Sequence, residues 1–260
     1  MMNAKKILLS TAIGAFLSTS ALAGELTVVS FGGAYGAAQK KHMLDPYEAK
    51  TGHKLLFEDY SGGIAEIKAQ VEAGNVQWDV VDIEVIDLER ACSEGLLEAI
   101  PHSILQKGAD GSAAKDDFIP SALANECGVG NIVWTTLYAY SDKTIGAVKP
   151  TSMMDLFDTK KIPGKRALRK RPQVNLEWAL IADGVPRDKV YEVLATEAGQ
   201  KRAFAKLDTI KDDIVWFDSW SQAPQLLNDG GAVMAQSANG RIYNAIREDA
   251  KPSALSSLRP

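Results

Sequence analysis

GELTVVSFGGAYGAAQKK, residues Gly24 to Lys41, is the stretch that decides the fold. A short β-branched run, Leu26 to Val29, reads as a buried strand that stops at Ser30. FGGAYG follows, and then a helix-favouring segment from Ala37 to Lys41. Gly32, Gly33 and Gly36 permit positive φ and close approach of the backbone to a guest. A strand, a glycine-rich loop and a helix are how α/β proteins present ligands at the carboxyl ends of strands. The same residues are equally compatible with a tight βα turn that holds nothing.

Upstream, Lys5 and Lys6 precede a short apolar core, Ile7 to Leu17, and the small-x-small triplet Ala21-Leu22-Ala23. That order is a secretory signal peptide over residues 1–23, with a core too short for a bilayer span. The remainder is expected to be soluble and periplasmic. Of 260 residues, 46% are hydrophobic, ample for a core, and the formal net charge of −4 argues against a nucleic-acid surface. Cys92 and Cys127 are an even pair, expected to be joined in an oxidising compartment. Two free buried thiols are the alternative. A metal site is disfavoured, since these cysteines lack His partners at ligand spacing.

Downstream, Tyr35 to Lys50 has a helical pattern that Pro46 should kink or split. His53 to Glu58 reads as a second strand, and a helix with Ile64, Ile67 and Val71 on one face ends near Gly74. Trp78 to Val85 reads as a third strand, with Asp82 and Glu84 near its exit, before a helix ending at Gly95. This βαβαβα order suits a largely parallel sheet. Residues 101–117 are irregular. Gly130 to Tyr140 reads as a long extended strand crossing between lobes. The basic stretch KKIPGKRALRKRP (Lys160–Pro172) reads as an exposed, solvated strand. Strands at Ile214–Phe217 and Ala232–Gln236 alternate with helices, so the second half is also α/β.

The chain resembles the extracellular solute-binding proteins of ABC importers, in the spermidine- and putrescine-binding branch. The signal peptide and TVVSFGGAYGAAQ are similar to the family's opening. WDVVDIE, CSEGLLE, ECGVGNIVW, KIPGKRALRK, VNLEWALIADGV, QLLNDGGAV and NGRIYNAI resemble later blocks in the same order. The resemblance covers nearly all of residues 25–250. It implies a two-lobed α/β periplasmic-binding-protein fold of type II character, acting as a monomer that closes on a solute and meets a membrane permease. Lobe one is expected at 24–134, with 241–260 returning toward it, and lobe two at 135–240. No cofactor is implied.

Three departures accompany the resemblance. Ala238 stands where polyamine binders carry an aromatic residue before Asn-Gly. Arg169-Lys170-Arg171-Pro172 stands where they carry carboxylates, and would repel a diamine if it faced the cleft. The family pattern continues past NGRIYNAI, so SALSSLRP implies a C-terminally shortened member of weakened stability. The expected solute is a polyamine. The same fold binding an opine, an amino-acid-like or anionic solute, or ferric ion through tyrosines such as Tyr35, Tyr138 and Tyr140, is the alternative.

A cleft for a cationic solute needs carboxylates and aromatic faces. The candidates are Ser30, Phe31, Tyr35, Ser61, Gly62, Asp82 and Glu84 from lobe one. Trp134, Trp178, Asp218, Gln222 and Asn239 come from the crossing and lobe two. Ser30, Tyr35 and Asp82 lead, because the fold points these strand exits at the cleft. A secreted hydrolase is disfavoured: His42, His53 and His102 have no motif partners, and GGAYG lacks the G-x-G-x-x-G spacing.

Overall fold

Strand β1 (Glu25–Ser30) runs into α1 (Gly33–Gln39), a short π-helical segment (Lys40–Leu44) and α2 (Asp45–Thr51). Pro46 sits in the first turn of α2, where a missing N–H costs nothing, so the expected break becomes a join between two helices. Gly52, left-handed at φ 76°, closes α2. β2 (Lys54–Asp59), α3 (Ala65–Glu72), β3 (Val80–Val81) and α4 (Val85–Ser93) follow. The three strands form a parallel sheet in the order β2-β1-β3. This computed structural model describes residues 24–248 and 255–258, so the expected signal peptide lies outside the described residues.

β3 is far shorter than the Trp78–Val85 strand read from the sequence. The Asp79 carboxylate accepts the Thr27 amide at 2.8 Å, and the Asp82 amide donates to Val29. Past Asp82 the chain turns into α4, with Glu84 at the helix boundary. The Gly130–Tyr140 strand is shortened likewise. After α5 (Ala114–Asp117), only β4 (Thr136–Ser141) is paired, and exposed residues 130–135 make the crossing. Cys92 and Cys127 are joined, tying the end of α4 to the approach of that crossing.

The second lobe comprises β4, β5 (Arg166–Arg169), α6 (Asn175–Ala182), α7 (Val190–Leu194), α8 (Glu197–Asp208), β6 (Ile214–Phe217), α9 (Gln222–Asn228) and β7 (Met234–Ala238). It also holds α10 (Asn239–Glu248) and β8 (Leu255–Leu258). The strand order is β6-β5-β7-β4-β8, with β5 parallel to both neighbours and β4 antiparallel to both of its own. Alternate residues feed two cores, as period two requires. Tyr138, Leu168, Trp178 and Leu180 pack on one face. Leu137, Ala139, Ala167, Phe217, Trp220 and Ile242 pack on the other.

Two expectations are corrected here. The basic stretch is not a solvated strand: all four residues of β5 are buried in the sheet interior. Arg166 survives there because its guanidinium donates to the carbonyls of Leu156, Gly164, Asp155 and Asp158. The described parts of residues 241–260, those in α10 and β8, also stay with the second lobe. Ile242 and Ala245 complete its core, and β8 extends its sheet.

The first lobe buries less. Val28, Phe57, Ile67, Leu88 and Val133 line a hollow of about 1620 Å³ that opens into the cleft. Among the described residues no helix is long and apolar enough to cross a membrane.

Candidate functional site

The opening loop places its functional groups through two glycines. Gly32 and Gly33 take φ of 58° and 57°, which only glycine adopts without strain. This turn leaves Ser30 buried at the strand exit and swings Tyr35 toward β3. Asp82 collects the result. Its Oδ2 accepts from Ser30 Oγ at 2.9 Å, Tyr35 OH at 2.8 Å and Gln39 Nε2 at 2.8 Å. Asn131 of the crossing donates to Oδ1 at 3.4 Å, and Tyr60 OH donates to the Asp82 carbonyl at 2.5 Å. These donors are all neutral, so the carboxylate is solvated by the protein without being neutralised. Burial, and then the hydrogen bond and charge of Asp82, push the Tyr35 phenol well above its ordinary pKa. Burial and the charges of Asp82, Asp87 and Glu84 do the same to Tyr60.

Three arginines cross from the second lobe to the first. Arg169 Nη1 meets Glu84 Oε1 at 2.6 Å, and Nη2 donates to the Ser61 carbonyl at 2.6 Å. Its guanidinium also lies 4.4 Å from the Trp220 ring centre, and Trp220 Nε1 donates to Glu84 at 3.3 Å. Arg171 pairs with Asp87 at 3.3 Å. Burial raises the Asp87 pKa, against the pull of Arg171. Asn175 holds this arginine loop by donating to the carbonyls of Arg169 and Arg171. The preceding Val174 takes φ 71°, a strained value for a β-branched residue. The third, Arg241, donates from Nη2 to the Phe31 carbonyl at 2.9 Å.

Of the twelve residues named from sequence, Phe31, Tyr35, Asp82, Glu84, Trp134 and Asn239 line the hollow. Ser30 lies behind them, holding Asp82, and Ser61 and Gly62 meet the crossing arginines. Trp134 meets Trp220 edge to face at 5.4 Å, and Asn239 Oδ1 accepts the Thr135 amide at 3.1 Å. The other three do structural work. Trp178 is buried in the second core against Tyr138, because its helix turns that face to the sheet. Gln222 Oε1 accepts the amides of Asp218 and Ser219, closing the turn before α9. Asp218 contributes its carbonyl to Arg169. Tyr138 is buried with its hydroxyl on the Ser152 carbonyl, so it does not pair with Tyr35.

Sequence reasoning missed Trp220 and Arg241. Trp220 follows the Phe217 strand exit within DSW, the same exit logic that selected Asp218. Arg241 follows Asn239-Gly240 and gave no signal of its own.

Residues 42–258 match the family model for bacterial extracellular solute-binding proteins. The chain belongs to that family. A gamma-aminobutyric acid-binding protein of Pseudomonas aeruginosa is 43% identical over 226 residues, 87% of this chain. The chain spans 62% of that relative's length. Among solved structures, the binding protein MotA of A. tumefaciens B6, in complex with glucopine, is 35% identical with a TM-score of 0.80. That likeness covers 90% of this chain and 68% of MotA. A GABA receptor of known structure is 33% identical with a TM-score of 0.71, covering 90% of this chain and 67% of its own. These likenesses make the two-lobed periplasmic-binding-protein fold this family member's own. They do not favour the spermidine and putrescine branch over others: these relatives are named for GABA or bound to glucopine.

Proposed function

We propose that this solute-binding protein captures a small zwitterionic solute, amino-acid-like or an opine, between its lobes outside the cytoplasm and hands it to an ABC permease. One observation carries the choice of solute. Glu84, a carboxylate expected to attract a polyamine, is already paired with Arg169 of the opposite lobe. At the β1 exit this leaves Asp82 as the carboxylate without a paired cation, with Arg241 lining the same hollow, a poor match for a ligand of two or more ammonium groups. The GABA-binding relative at 43% identity supports the same reading.

The aromatic lining fits such a solute. Tyr35, Trp134 and Trp220 give faces for a short methylene chain and for an ammonium. The groups at Asp82 position a carboxylate: its Oδ2 is held by Ser30, Tyr35 and Gln39, while Oδ1 takes only a 3.4 Å contact from Asn131.

A thermal-shift titration of the purified chain with GABA, glucopine, putrescine and spermidine tests the reading. A saturable rise in melting temperature with GABA or glucopine, and little with the polyamines, is expected. A rise confined to putrescine or spermidine would restore the polyamine and overturn the proposal.

A further inference from the structure

Arg241 is more than nine-tenths buried, and its environment differs from that of every other buried arginine described. Arg166 is enclosed by four carbonyls, and Arg169 has Glu84. Among the described residues Arg241 has one side-chain hydrogen bond, to the Phe31 carbonyl, and no carboxylate lies within 4 Å of it. Asp59 acts on it only from beyond ion-pair distance. A buried guanidinium without an anion is costly, and its planar fork is suited to a carboxylate.

The guanidinium is held at the cleft by the opening loop. A Cβ on Gly33 would fall 2.3 Å from Arg241 Nη1, so this glycine is what lets the cation lie against the loop. It lines the same hollow as Tyr35, Asp82, Trp134, Trp220 and Asn239. Asp82 is the complementary case, an anion with neutral donors and no cation within 4 Å among the described residues. Tyr35 links the two, bonded to Asp82 and within the field of Arg241.

We propose that Arg241 receives the carboxylate of the captured solute, while Asp82, which shares Tyr35 as a neighbour, receives its ammonium. This assignment rests on the zwitterion reading above and names the residues that would select for it. A zwitterion answers both fixed charges at once. A diamine leaves the arginine unanswered and adds a cation beside it, and a simple carboxylic acid leaves the aspartate unanswered.

Four ligands on a four-carbon chain isolate the two ends: GABA, butylamine, butyrate and putrescine. Calorimetric titration of the full chain with each, and of the Arg241→Gln and Arg241→Lys variants, is the test. In the parent, GABA binds roughly 10- to 100-fold more tightly than the other three, the ordinary worth of one charge-assisted contact. Arg241→Gln loses GABA affinity by a similar factor and binds putrescine more tightly than the parent does, because the repelling cation is gone, whereas Arg241→Lys recovers part of the GABA loss. Circular dichroism of each variant separates lost binding from lost folding, and the parent's ligand series needs no variant. Equal affinity for GABA and butylamine, or GABA binding unaltered in Arg241→Gln, overturns the assignment and leaves solute capture standing. Saturable binding of none of the four, nor of glucopine, overturns both.

Discussion

Arg169 Nη1, on an interior strand of the second lobe, lies 2.6 Å from Glu84 Oε1 at the start of a first-lobe helix. The side chains are 4% and 12% exposed, so this ion pair is close to fully desolvated and ties the lobes across the cleft. Glu84→Ala strands the guanidinium and is expected to lower the unfolding free energy by about 3 kcal/mol. Urea unfolding measures it. The Glu84→Ala, Arg169→Met double variant should regain most of that loss, because a neutral pair removes the orphaned charge. A single-variant loss below about 0.5 kcal/mol, the size of an exposed pair, would contradict the clamp.

Asp155 predicts an acid limb in the stability profile. Burial alone would raise its pKa, but Lys161 and the amides of Thr151 and Ser152 outweigh it and hold the carboxyl at about 2. A depressed carboxylate contributes stability that is complete above the unfolded value of 3.8 and disappears as pH falls toward 2. The contribution is about 2 kcal/mol. Asp155→Asn should therefore be less stable than the parent by about that amount at pH 7 and equal to it near pH 2. Denaturant melts at the two pH values check this.

Much of the architecture was legible because its signals are local. The strand–glycine–helix opening, the helix ends near Gly74 and Gly95, and the alternating second half follow from turn chemistry and periodicity. What the sequence hid depends on partners far along the chain. RALR looked solvated because nothing local says that carbonyls of residues 155–164 and Glu84 await its guanidiniums. Trp178 looked as suitable for a cleft as Trp134, since helical spacing does not say which side a sheet covers. Asp82 was found by its place at a strand exit, but its ring of neutral donors spans residues 30 to 131.

The Cys92–Cys127 bridge closes a separation of 35 residues, worth about 4 kcal/mol on the chain-entropy account. Cys92→Ser, Cys127→Ser is expected to lose that much unfolding free energy. Hydrogen exchange should rise first between residues 94 and 127, where regular structure is sparse. Uniform acceleration across both lobes would contradict a local role for the bridge.

Gly33 offers a separate handle on the cleft. Gly33→Ala meets both a left-handed φ of 57° and the Arg241 guanidinium at 2.3 Å. The strain is expected to cost about 1–2 kcal/mol. Solute affinity should fall along with stability, because the arginine must move. Gly74→Ala, at φ 62° with open space around it, should cost stability alone. Parallel melting and solute titration of the two variants check the difference, and equal affinity in both would contradict a role for the opening loop at the site.

The central claim is that a zwitterion lies between the lobes with its ends on opposite charges. A crystal structure of the chain grown with GABA tests it most directly. Ligand beside Tyr35 and Trp134, its carboxylate on Arg241 and its ammonium on Asp82, is the result expected. Ligand bound with its ends reversed, or bound away from these four residues, would contradict the account.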